Sequence, residues 1–229
     1  MSEMQFPPER SPRPFGEIPG LWTKVLQMTE GFFAQEAPRA SGSNTLLSIL
    51  ILAVVSMILS GISTLTWRGT QMAFLPPEYR QAFGAGVGAG AGPILCSLCG
   101  GIFGTFVGFY LASGLVYLGA RVFGGNGDFG TQTYLQSLLA VPTGIVSGLL
   151  SLIPCVGPLL ALVVAIYAII LNVRAIKVTH NLTTGRAVAA VLVPAILVAL
   201  LVACLLVVVL VALGPAINNV FQNIVTNVQ

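Results

Sequence analysis

The sequence predicts an all-α polytopic membrane protein, a bundle of five transmembrane helices with a short amphipathic helix at each end. Three observations predict it. Hydrophobic residues make up 55% of the 229 residues and charged residues 7%, with a mean hydropathy of +0.92, whereas about 25% of an ordinary globular domain is charged. So few charges cannot cover a surface that faces water, which argues against soluble enzymes, nucleic-acid binders and disordered tails. Five apolar stretches also reach the roughly 20 residues that a helix rising 1.5 Å per residue needs to cross the hydrocarbon layer. Finally, runs such as Leu197 to Leu213 lack the alternation of a membrane β-barrel, and only helices or closed barrels satisfy their own backbone in lipid.

Residues 1–43 form the N-terminal segment. It is polar and Pro-rich, and five of the seven acidic residues lie in it: Glu3, Glu9, Glu17, Glu30 and Glu36. An apolar leader core has no room there, so insertion is expected to begin at an internal anchor. Within the segment, residues 20–34 read as an amphipathic helix, because Leu21, Val25, Met28 and Phe32 recur at helical spacing with Trp22, Leu26 and Phe33 beside them. Two readings stay open, an interfacial helix with its aromatics at headgroup depth and a cytoplasmic helix packed on the bundle.

The transmembrane domain covers residues 44–213, with spans at about 44–65, 94–118, 133–152, 158–173 and 187–213. None has Lys, Arg, Asp, Glu or His in its middle. With the N-terminus inside, eight of the ten basic residues fall on the cytoplasmic side, including Lys24, Arg39, Arg121, Arg174, Lys177 and Arg186, and only Arg68 and Arg80 fall outside. The positive-inside rule therefore places the N-terminus in the cytoplasm and the C-terminus outside a cell membrane. Residues 214–229 read as an uncharged amphipathic tail on the outer surface, with Ile217, Val220, Phe221, Ile224, Val225 and Val228 opposite Asn218, Asn219, Gln222, Asn223 and Asn227.

The glycines divide by context. Gly84 to Gly92 alternate with Ala and Val, but no Lys follows and no βαβ unit surrounds them, so they make a flexible approach to Pro93 rather than a phosphate loop. Gly100, Gly104 and Gly108 recur every four residues in the second span, and Gly144 and Gly148 repeat the spacing in the third. Small residues on one face let helices approach closely, which matters in lipid, where burying apolar surface no longer drives association. The partner is either within the chain or in a second copy.

The cysteines and the single histidine are weak signals. Cys96 and Cys99 form a Cys-x-x-Cys, and Cys155 falls on the same expected outer face, where either a disulfide or simple packing is open. Three thiols without a histidine do not complete a zinc site. Cys204 lies mid-span and reads as packing. His180, the only histidine, reads as a loop-tip residue. Asp128 and Ser137 share its expected side, but a hydrolytic constellation is not assembled, so neither catalysis nor a cofactor is expected. Asn181-Leu182-Thr183 matches a glycosylation sequon, which the expected topology hides. Arg174, Lys177 and Arg186 read as anchors to lipid headgroups.

The loop after the second span carries the most information. It reads Ala120-Arg121-Val122-Phe123-Gly124-Gly125-Asn126-Gly127-Asp128-Phe129, followed by Thr131, Thr133 and Tyr134, Pro142 and, before the last span, Thr184-Gly185-Arg186-Ala187. With Leu21 to Leu26 and Phe32-Phe33 ahead of the first span, it resembles the Yip domain family, the Ypt/Rab-interacting multispanning membrane proteins, and particularly their prokaryotic branch. The resemblance covers roughly residues 20–213. It implies five helices, a cytoplasmic N-terminus and, in eukaryotic members, binding of Rab-type GTPases and roles in vesicle formation and membrane shaping. The Asp-Leu-Tyr-Gly-Pro-like motif of eukaryotic members is absent here, which leaves GTPase binding without its motif.

Independently of the family, Gly124, Gly125 and Gly127 supply positive-φ positions for a tight reversal, across which Arg121 is placed to pair with Asp128. The functional expectation is a non-enzymatic membrane scaffold or organising protein that docks a cytoplasmic partner through Trp22, Phe32, Phe33, Arg121, Gly124, Gly125, Gly127, Asp128 and Phe129. The bilayer is its solvent, a homo-oligomer is open, and no nucleic acid is involved. The alternative is a passive channel or a transporter subunit. Ion-coupled carriers place ionisable residues within their spans, which these spans lack.

Overall fold

Five helices in the computed structural model are long and apolar enough to cross a membrane. The structure describes residues 14–27, 30–74, 91–153 and 156–228, and among these all regular structure is helical. In chain order the helices are α1 (Ile18–Val25), α2 (Glu30–Glu36), α3 (Gly42–Phe74), α4 (Ala91–Val122), α5 (Phe129–Leu150), α6 (Gly157–His180) and α7 (Thr184–Val228), with short 3-10 turns at Phe15–Glu17 and Ala37–Arg39. The expected glycine-rich stretch at 84–90 and Cys155 lie outside the described residues, as does the side chain of Cys96.

The chain divides into two units, Met1–Val191 and Leu192–Gln229. In the first, α5 is the central helix, packed on α3, α4 and α6. Its start follows from the sequence: Asp128 sits in extended backbone and its carboxylate accepts the Thr131 N–H at 2.9 Å. That side-chain cap satisfies an N–H that a helix start otherwise leaves open. The third span thus begins four residues before the expected 133. Between α5 and α6 the reversal is tight. A Cβ on Gly157 would lie 2.1 Å from the Leu150 carbonyl oxygen, so only glycine fits.

Past the fourth span at 158–173 the helix continues with Arg174 and Lys177 on it, and Asn181 caps it in the left-handed region (φ 53°, ψ 38°). The tail differs as well: α7 is one continuous helix of 45 residues through Pro194 and Pro215, about 68 Å long at 1.5 Å per residue. Residues 214–228 therefore continue the last helix instead of forming a separate one, and the side chains of the expected apolar face at 217–228 lie outside the described residues. In the second unit the described side chains from Ala195 to Pro215 are all exposed, as suits a helix whose solvent is hydrocarbon.

The N-terminal helices pack on the bundle. Ile18, Leu21 and Val25 of α1 and Phe33 of α2 are buried against Tyr134, Leu135, Leu138 and Leu139 of α5 and Leu171 and Ala175 of α6. The Tyr167 hydroxyl donates to the Leu26 carbonyl, and the Lys177 ammonium pairs with Glu30 at 2.9 Å. Of the two open readings for this segment, packing on the bundle is the one observed.

Candidate functional site

The end of the bundle that carries the glycine loop is built around a buried histidine. His180, the last residue of α6, is 1% exposed. The Gly127 N–H donates to its Nδ1 at 3.1 Å, so Nδ1 is an acceptor and the ring is neutral. The proton is therefore on Nε2, which lies 2.8 Å from Oε1 of Gln132 and donates to it. With Oε1 of Gln132 accepting, its Nε2 donates to the Ser113 carbonyl of α4 at 2.8 Å and to Oε1 of Gln136 at 3.2 Å. Gln136 in turn donates to Oδ1 of Asn172 at 3.0 Å. One directional chain of donors thus ties the loop, α4, α5 and α6 together. Each link contributes about 1 kcal/mol within a membrane protein, while leaving one partner alone in an apolar surround costs more.

The glycines fit the loop to this histidine. A Cβ on Gly127 would lie 2.3 Å from the Thr179 carbonyl oxygen, and one on Gly125 would lie 2.8 Å from both the Ala120 oxygen and Cβ of His180. Gly125 donates its N–H to Ala120 and Asn126 donates to the His180 carbonyl, and the Asn181 side chain bridges to Asn126 at 3.2 Å. Of the three glycines, Gly124 alone has positive φ, +88°. The loop's need for glycine at 125 and 127 is thus one of close approach, not of handedness.

An aromatic group closes the site. Tyr117 of α4 meets the rings of Phe129 and His180, with centroids 5.3 and 5.6 Å away. Its hydroxyl accepts from Nε and Nη2 of Arg121 at 2.9 and 2.7 Å. The expected Arg121–Asp128 pair is not formed, because the Asp128 carboxylate caps α5 and the guanidinium turns to Tyr117. His180 is likewise not a loop tip; both of its ring nitrogens are engaged, and it organises the loop above it.

The remaining expected site residues separate by position. Phe33 is fully buried in the core and presents nothing to a partner, while Trp22 and Phe32 are half-buried at its rim. Arg121, Gly124, Asp128 and Arg186 are exposed; Arg174 and Lys177 are half-buried. Gly144 and Gly148 face α3, where an added Cβ would lie 2.5 Å from Cδ1 of Leu52 and 2.6 Å from Cδ1 of Leu59. Around Gly100, Gly104 and Gly108 an added Cβ meets nothing within 4 Å among the described residues. Gln132, Gln136 and Asn172 are not among the residues expected at the site. The available signal was two glutamines four residues apart at the head of an apolar span, where polar side chains are expensive unless paired.

A family model for the Yip1 domain matches residues 26–216. No curated protein matches the chain, and no solved structure does.

Proposed function

The chain belongs to the Yip1 domain family, and on that premise we propose that it is a non-enzymatic membrane scaffold that docks a partner through the end of the bundle carrying the glycine loop. The reading gains support from one observation: at this end α6 holds the N-terminal segment through Tyr167–Leu26 and Lys177–Glu30 contacts, and the turn that follows α6 holds the loop at 123–128 through Asn126–Asn181. Such cross-links make a preformed surface, which lowers the ordering cost of binding. The same end carries Lys24, Arg39, Arg121, Arg174, Lys177 and Arg186, so the positive-inside rule assigns it to the cytoplasm, with the C-terminus outside.

Site-specific photocrosslinking from Asn126 and from Asn181 tests the proposal. The same partner is expected at both positions and not from Leu162 on the exposed side of α6. Adducts no different from those of an unrelated membrane protein would remove the docking reading. Reporter fusions after Gln229 and at Thr183 test the sidedness, with opposite signals expected.

A passive pore subunit is the second reading, favoured by the amide chain Gln132–Gln136–Asn172 running into the bundle. Solute flux above that of empty liposomes after reconstitution would favour it over the scaffold.

A further inference from the structure

Among the described residues, two guanidinium groups beside the glycine loop have no carboxylate partner. Arg121 lies in the last turn of α4 and its hydrogen bonds go to the neutral Tyr117 hydroxyl. Arg186 lies in the first turn of α7, is exposed, and forms no ion pair among the described residues. Its Nη1 stands 3.8 Å from where a Cβ on Gly124 would be, while the Gly124 N–H is bonded to the Arg121 carbonyl. Gly124 therefore adjoins the Arg186 guanidinium through space and Arg121 through its backbone carbonyl, with no side chain of its own to cover the space. Asp128, the acid of the loop itself, is committed to capping α5.

Depth supports a lipid ligand. Arg121 is the penultimate residue of the apolar stretch Cys99–Val122 and Arg186 the third of Thr184–Pro215, so each stands at the end of a helix apolar enough to cross a membrane, the place at which headgroups are expected. Val122, beside Arg121, is 81% exposed and suits the acyl side of that boundary. Arginine offers a planar fork that matches two oxygens of a phosphate, and Tyr117 holds the Arg121 fork with its ring as well as its hydroxyl, 5.1 Å from centroid to Cζ.

We propose that Arg121 and Arg186 hold the phosphate of an anionic phospholipid headgroup over Gly124. Lysine and arginine elsewhere at this end do not share the role equally, since Lys177 is paired with Glu30. The site requires no protein partner, so it stands or falls separately from the docking proposal.

Native mass spectrometry of the detergent-solubilised full chain, offered equimolar phosphatidylglycerol and phosphatidylcholine, tests it. The wild type is expected to retain phosphatidylglycerol preferentially. Arg121→Gln or Arg186→Gln should each lower that preference about five-fold, the scale of one basic side chain at an anionic surface. The double variant should reach parity, and Lys24→Gln should change nothing. Tyr117→Phe keeps both charges and the ring; a reduced preference there supports the oriented fork, and a circular dichroism spectrum matching wild type shows that each variant is folded. Undiminished preference in the folded double variant would overturn the site. Stabilisation by inorganic phosphate alone that equals the lipid's and vanishes in the double variant would overturn the lipid assignment in favour of free phosphate.

Discussion

Gly127 donates its backbone N–H to Nδ1 of His180, 53 residues away in sequence, at 3.1 Å. The contact fixes the histidine tautomer, and with it the direction of every hydrogen bond down to Asn172. It also explains why position 127 admits no side chain: the backbone is drawn so close that a Cβ would overlap the Thr179 carbonyl.

Gly127→Ala is accordingly expected to destabilise the fold by about 2–3 kcal/mol, since the obstacle is backbone and cannot swing aside. Gly124→Ala should cost only about 1 kcal/mol, from its positive φ, because the space around it is open. Unfolding of the purified protein in mixed micelles measures both. Equal effects at the two positions would mean that close approach does not set the requirement.

The histidine tautomer is directly observable. The chain has one histidine, so ¹⁵N spectra need no assignment, and they should show a protonated Nε2 and an unprotonated, hydrogen-bonded Nδ1 at neutral pH. A protonated Nδ1 would contradict the network. His180→Phe should cost roughly 2–4 kcal/mol by leaving Gln132 Oε1 and the Gly127 N–H unpaired. A double-mutant cycle with Gln132→Met is expected to be non-additive by about 1 kcal/mol.

At the interface of α3 and α5, Gly148→Ala pushes a methyl toward Cδ1 of Leu59. This neighbour is the end of a flexible side chain, so the expected loss is about 1 kcal/mol and no more than 2. Truncating the neighbour, Leu59→Ala, should make Gly148→Ala nearly neutral in that background. Gly104→Ala meets nothing among the described residues and should leave a monomer's stability unchanged. A loss at Gly104 as large as at Gly148, in monomeric protein, would refute this division.

The N-terminal helices should be released by the core more than by their charges. Phe33→Ala removes a fully buried ring and is expected to cost about 3 kcal/mol, exposing residues 15–40 to hydrogen exchange. Glu30→Gln breaks a largely solvated pair and should cost under about 1 kcal/mol. Comparable deprotection in the two variants would show that the ion pair matters more than its exposure suggests.

Much of this architecture is local and so was legible. The reversal around Gly124 to Gly127 and the five long apolar runs each depend on residues within a few turns of one another, whereas Asp128, expected to pair with Arg121, caps α5 instead. The partners of charged residues were less legible: Lys177, on the helix that leaves the fourth span, finds Glu30 on α2.

The sequence by itself determined the solvent and the number of crossings, because hydropathy and a self-satisfied helical backbone are properties of single segments. Only the tertiary structure decided which glycines touch a neighbour, that Phe33 is enclosed and that His180 is buried in a line of amides. In water an amphipathic period marks the inward face of a helix. In lipid both faces are apolar, so the inward one is set by pairings such as Gln132 with Ser113 and His180 with Gly127, between residues far apart in the chain.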